Sequence, residues 1–164
     1  DLGPEVVERL RGDSGSDFGV PCVPSAADER PLAAAELDRQ VHLLTAAWKA
    51  FDHAAASAVG RELRLGPRGG GRDLAKMTGH VLEAEEAYLH QLGRRRPRPL
   101  DSDLSARMGQ VRELAQAALV ARANGREPYE PIQVRKRWSP RYFVRRSAWH
   151  ALDHAWELED RILG

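Results

Sequence analysis

The sequence predicts an all-α protein, an antiparallel four-helix bundle, on three observations. Four segments of about 20 residues carry apolar side chains at alternating steps of three and four, as a helix with one buried face does. Three of them are closed by glycine or Asn-Gly, and the fourth is opened by Ser-Pro. No stretch alternates with the period of two that a half-buried strand requires.

The chain of 164 residues suits one domain with a real core. It divides into an irregular N-terminal segment, 1–32, and the bundle, 33–164. Within the first segment, Pro4 to Arg11 has the composition for two helical turns. Gly12, Gly15, Gly19, Pro21, Pro24 and Pro31 then interrupt the backbone. So long an irregular stretch is expected to pack across the outside of the bundle or to belong to an upstream region. Residue 1 is Asp rather than Met, so the N-terminus reads as trimmed or as part of a longer polypeptide.

The first helix is predicted from about Ala33 to Val59. Leu37, Val41, Leu44, Trp48, Phe51 and Ala55 follow one another at steps of 4, 3, 4, 3 and 4, and Gly60 supplies the stop. The second runs from about Asp73 to Leu92 with Leu74, Met77, Val81, Ala84, Tyr88 and Leu92 inward and Gly93 behind it. The third covers about Ser102 to Ala123, with Leu104, Met108, Val111, Ala115 and Ala118 inward and Asn124-Gly125 as its end. The fourth begins at Ser139 as N-cap with Pro140 in the first turn and continues to about Leu163. Its main apolar arc is Val144, Ala148, Ala151, Ala155, Leu158 and Ile162.

Composition narrows the function. Lys+Arg number 25 and Asp+Glu 24, so no overall field favours nucleic acid. The single cysteine, Cys22, has no partner for an internal disulfide, which favours a reducing, cytoplasmic setting. Cys22 itself is expected to be a small apolar filler. No apolar run reaches the roughly 18 residues of a membrane span.

Chemistry enters with His150 and His154. At i and i+4 on one helix they differ by about 40° around the axis and about 6 Å along it, so both imidazoles can close on one ion. Helices that alternate up and down would place the second and fourth in the same direction. Depths reckoned at about 1.5 Å per residue then put His80 about 10 Å down, and His150 and His154 about 15 and 21 Å down. His42 and His90 fall too far along, and His53 faces away from the apolar seam. The nominated metal ligands are therefore His80, His150 and His154. Three neutral imidazoles with an open fourth position are the donor set of a catalytic centre rather than a closed structural one. On the fourth helix these histidines lie beside Phe143, Ser147 and Glu157, toward the edge of the apolar arc, where a solvated histidine would also lie.

With these residues placed, the chain resembles the DinB-like superfamily of metalloenzymes, four-helix bundles with one ligand histidine on the second helix and an HxxxH pair on the last. The matching stretches are KMTGH at 76–80 and WHALDH at 149–154, and the likeness covers about Leu37 to Leu163. Many members continue past the second histidine of the pair with a basic, amide-bearing stretch, where this chain has AWELED at 155–160. The resemblance implies a divalent transition metal, zinc or nickel foremost, and a low-molecular-weight thiol or water on the open position. It implies a thiol-dependent transferase or isomerase, or a metal-dependent hydrolase, acting on a small-molecule substrate.

Around the triad, Asp153 and Glu157 share the histidine face and are candidates to accept the free N–H of a ligating ring. Glu157 is the candidate general base, or simply the partner of Arg161 one turn on. The segment Gly66 to Arg72 (GPRGGGR) lacks the lysine and hydroxyl of a P-loop. A milder expectation is an anion site at the start of the second helix with Arg68 and Arg72, joined by Arg135, Lys136 and Arg137 of the last loop. Arg94 to Arg98 (RRRPR) reads as a solvated turn. Trp48, Trp149 and Trp156 are expected at helix interfaces, and Trp138 at the mouth of the pocket. The reading that competes with an enzyme is a non-enzymatic four-helix interaction domain, paired with a second copy of itself.

Overall fold

The structure is a computed structural model that describes residues 3–65, 71–98 and 103–163. Among them are four α-helices, α1 (Ala34–Ser57), α2 (Leu74–Gln91), α3 (Leu104–Ala123) and α4 (Pro140–Arg161), and no strand. Each boundary has a local cause. Asp73, Asp103 and Ser139 cap the starts of α2, α3 and α4 by accepting from Lys76, Ala106 and Tyr142 amides, and Pro140 needs no donor in the first turn. Gly60 and Gly93 follow α1 and α2 with φ of 72° and 87°, a left-handed backbone that glycine adopts without penalty. No helix is long and apolar enough to cross a membrane among the described residues.

The predicted stripes meet in one core. Leu44, Phe51, Met77, Val81 and Leu158 of those stripes are all but sealed from solvent, joined by Leu82, Leu89, Leu119 and Phe143 from outside them. The largest interfaces lie between α1 and α4 and between α2 and α3, with α2 against α4 closing the middle.

The helices do not alternate in direction. Trp138 N–H donates to the Gln91 carbonyl, so α4 starts where α2 ends. At the other end, the Arg161 carbonyl takes the Arg64 amide and the Leu163 amide reaches the Glu62 carbonyl, beside the segment that follows α1. Helices α1 and α4 therefore run in parallel, with Glu36 and Arg141 paired near their starts. Helix α3 opposes α1, because Gln116 meets Thr45 while Arg112 meets Asp52. It follows that α2 and α3 point the same way, and the expectation of an antiparallel, alternating arrangement is corrected. The reason is loop length. Residues 92–103 can extend to about 40 Å, more than the roughly 30 Å of a 20-residue helix such as α3. One end of the molecule thus carries the α1–α2 connection with the end of α4, and the opposite end carries the α3–α4 connection with the end of α2.

The N-terminal region behaves as a strap on α4. Pro4 to Arg11 forms no helix; Val6, Val7 and Leu10 are exposed, and two turns with nothing to bury cannot meet the cost of nucleation. Farther on, 3₁₀ turns form at Ser16–Phe18 and Ala26–Glu29. Ser25 and Asp28 make a capping box, and buried Asp28 also pairs with Arg145. Tyr142 donates its hydroxyl proton to the Cys22 carbonyl, and Arg141 reaches the Arg30 and Pro31 carbonyls. Cys22 is no apolar filler. Its Sγ donates to Asp13 Oδ1 at 2.8 Å, and that bond to a carboxylate is the main cause holding the thiol pKa above its ordinary value.

Two further expectations change. Arg94 is buried rather than solvated, because its guanidinium is held by Glu130 and the Arg95 carbonyl and lies over the Tyr129 ring. Trp156 is 59% exposed and joins no helix interface.

Candidate metal centre

The triad is assembled by two antiparallel helices, α2 and α4. His80 stands six residues into α2, and His154 seven residues before the end of α4, so both lie in one layer. His150 is one turn from His154 on the same face. The ring centroids are 4.5 Å apart for His150 and His154, 4.9 Å for His80 and His154, and 5.3 Å for His80 and His150. One nitrogen from each lies within 4.8 Å of the others. A tetrahedral ion with metal–nitrogen bonds of about 2.1 Å needs nitrogens about 3.4 Å apart, a difference that small ring rotations can close.

Burial separates these rings from solvated histidines. His150 and His154 are 6% and 7% exposed and His80 is half-buried. The edge of the predicted apolar arc on α4 is itself an interface: one side of the helix packs on α1 while Phe143, Ser147, His150 and His154, all buried, form a second stripe toward α2. Burial is the first cause that depresses the His150 pKa, to about 3, followed by the neighbouring charges of His154, His80, Arg146 and Arg72. Burial also lowers His80, with Arg72 and His154 next. Both rings are thus neutral at physiological pH, the form that offers a lone pair to a cation. His42, His53 and His90 stay outside the cluster; His42 turns its Nδ1 to the Asp38 carbonyl.

The environment orients one ring. His154 Nδ1 lies 3.0 Å from Glu157 Oε2, so an Nδ1–H donated to the carboxylate leaves Nε2 as the lone-pair nitrogen. The other oxygen of Glu157 takes a bond from Arg161 Nη1 at 2.9 Å, and Arg161 is tied in turn to the Arg64 and Arg72 carbonyls. The expected pairing of Glu157 with Arg161 one turn on is present. Both oxygens of Glu157 are engaged, one by His154 and one by Arg161. Asp153 is exposed and makes no bond to a histidine among the described residues.

The anion site expected at the start of α2 with Arg68 and Arg72 falls partly outside the described residues. Asp73 occupies that helix end with its own carboxylate, which accepts the Lys76 amide and pairs with Lys76 Nζ at 3.0 Å. Arg72 is exposed and Arg68 lies outside the described residues. The last loop is at the other end of the molecule, where Arg137 pairs with Glu127 and the Ile132 carbonyl and packs on Gly93. Trp138 is not beside the triad but one ring removed. It contacts Tyr142 at 4.8 Å and Tyr88 at 5.1 Å, and Tyr88 meets His150 edge-on at 5.7 Å. Sequence reasoning passed over Arg146, although its place one turn before His150 marks it as a neighbour of the site.

Comparison with known proteins gives no match: no family model, no curated protein and no solved structure is similar to this chain.

Proposed function

We propose that this protein is a metal-dependent enzyme built on a DinB-like four-helix bundle, with His80, His150 and His154 as the ligands of one divalent transition ion, zinc or nickel foremost. The observation that carries this reading is the convergence of three imidazole nitrogens from two helices, with the His150 and His154 rings buried. Three nitrogen donors leave room for substrate or solvent, and no protein carboxylate or thiolate among the described residues completes the set. Such an ion supplies positive charge that holds a thiol or water as its conjugate base. The protein's own part is to hold the ring tautomer of His154 through Glu157, to keep water from most of the triad by burial, and to keep His80 and His150 unprotonated. Thiol-dependent transfer or isomerisation, or hydrolysis of a small molecule, is the activity this arrangement suits.

The test is elemental analysis of untagged protein beside His80→Ala and His150→Ala. About one equivalent of metal per chain is expected for such a centre, lost in both variants while circular dichroism shows the fold retained. Absence of metal in the parent after incubation with zinc and nickel would sink the reading.

One observation favours the second reading, an interaction domain that pairs with a second copy. An apolar groove of about 560 Å³ runs between α1 and α4, lined by Leu43, Ala46, Val144, Ala148 and Leu152. Sedimentation equilibrium separates the two: a dimer broken by Leu43→Glu, in protein without bound metal, would favour this second reading.

A further inference from the structure

Among the described residues Arg146 is a guanidinium without a counter-ion, one turn before His150. Elsewhere on α4, Arg141, Arg145 and Arg161 are each paired with a carboxylate, of Glu36, Asp28 and Glu157. Arg146 is paired with none among the described residues. Its central carbon lies 5.2 Å from the Tyr88 ring and 4.9 Å from the Trp149 ring, so the cation is placed against two aromatic faces. Its Nη1 is buried and meets no hydrogen-bond acceptor, and on the next residue the buried Ser147 Oγ has no partner either. Buried donors are nearly always satisfied, so two adjacent ones left open mark a place where an acceptor is missing.

The position of these donors says what the acceptor belongs to. Tyr88 touches Arg146 with its ring and His150 with its edge, so Arg146 and the triad share one wall. Arg146 and Arg72 both act on His150 as positive charges, and the one carboxylate bonded to the triad, that of Glu157, is already shared with Arg161. A planar guanidinium held against rings matches a carboxylate, whose two oxygens can take two of its N–H groups.

We infer that Arg146, with Ser147 and Tyr88 beside it, anchors the carboxylate of a small-molecule ligand whose other end reaches the His80–His150–His154 centre. Only the reach of the ligand to the histidine centre rests on the metal reading. A ligand of this class carries a metal-seeking group at one end and a carboxylate at the other.

The test uses the cobalt(II)-loaded full chain and follows its visible spectrum during titration with succinate, glutarate and adipate, with butyrate as the monoacid control. Butyrate can reach the ion but has no second carboxylate. At least one diacid is expected to bind about tenfold more tightly than butyrate, the size of effect a charge-assisted pair gives. Arg146→Gln should abolish that preference while leaving the cobalt spectrum of the unliganded protein as in the parent. A preference that survives in Arg146→Gln, or none in the parent, overturns the anchor. Should the protein take up no cobalt, the metal reading fails by itself and the anchor is read on metal-free protein. A saturating shift of the Arg146 Nε–H resonance with glutarate, absent with butyramide, then supports it, and no shift refutes it.

Discussion

Replacing Glu157 with glutamine probes how the site prepares His154. Both partners of this carboxylate are donors: His154 Nδ1–H at 3.0 Å and Arg161 Nη1 at 2.9 Å. Glutamine offers one oxygen and one amino group, so one of the two donors must face another donor. The charge is lost as well. From the 3.0 Å bond and the width of an imidazole, the carboxylate stands about 7 Å from an ion on Nε2. For a divalent ion that distance is worth about 1 kcal/mol in water and about 2 kcal/mol at half that dielectric constant. Since Glu157 is 34% exposed in its side chain, the wetter figure is the fitter one. Together with the lost orientation, affinity should fall about 10- to 100-fold, the usual effect of removing a carboxylate behind a ligand histidine. Competition with a chromophoric zinc chelator at pH 7.5 measures it. Parent-like affinity in a folded Glu157→Gln protein would refute the idea that the carboxylate sets the tautomer.

Three other outcomes are expected. His150 titrates near 6.5 in an unfolded chain but at about 3 in the fold, so the unfolded state binds more protons between those values. Stability of metal-free protein should therefore fall as pH is lowered from 6.5 toward 3, by about 2 kcal/mol at pH 5 from this group; the urea midpoint of the parent against His150→Leu shows whether the slope flattens. Burial pushes Glu85 up to about 6 and works in the opposite sense over pH 4.5 to 6, so the variant comparison and not the parent curve is decisive. Arg112 bridges buried Glu85 and exposed Asp52, and Arg112→Met should cost about 3–5 kcal/mol by leaving Glu85 alone in the core; adding Glu85→Leu should restore much of it in the same denaturation assay. A Cβ on Gly71 would stand 2.5 Å from Arg161 Nη2, a side chain pinned by three partners, so Gly71→Ala should lower both thermal midpoint and zinc affinity; an unchanged affinity would uncouple Arg161 from the site.

What was legible in the sequence was whatever depends on neighbours a few residues apart. The steps from Leu37 to Ala55 and the Ser139–Pro140 start fixed helices whose ends the structure moves by two residues or fewer. Helix direction was not legible, because it is decided by where residues 92–103 lead and no local pattern encodes that. The triad was nominated on a mistaken direction and still comes together. His150 lies near the middle of α4, so reversing the helix scarcely changes its depth. The second buried stripe of α4 was hidden for another reason: Ser147, His150 and His154 are polar, and hydropathy cannot announce a polar face that is nevertheless covered. That the N-terminal stretch packs across the outside was one of two expectations, but its particular bonds, such as Tyr142 to the Cys22 carbonyl, were not legible because they join residues more than a hundred positions apart.

The triad has a topological consequence as well as a chemical one. His80 and His150 are about 70 positions apart, and α3 with both of its connections lies within that span. An ion gripping both would act as a removable cross-link that closes this span into a ring. In the chain-entropy view a permanent link over such a loop contributes at most about 4 kcal/mol by restricting the unfolded chain. Metal supply would then shift the balance between folded and unfolded chain, and a chelator would lower stability without touching a single core contact.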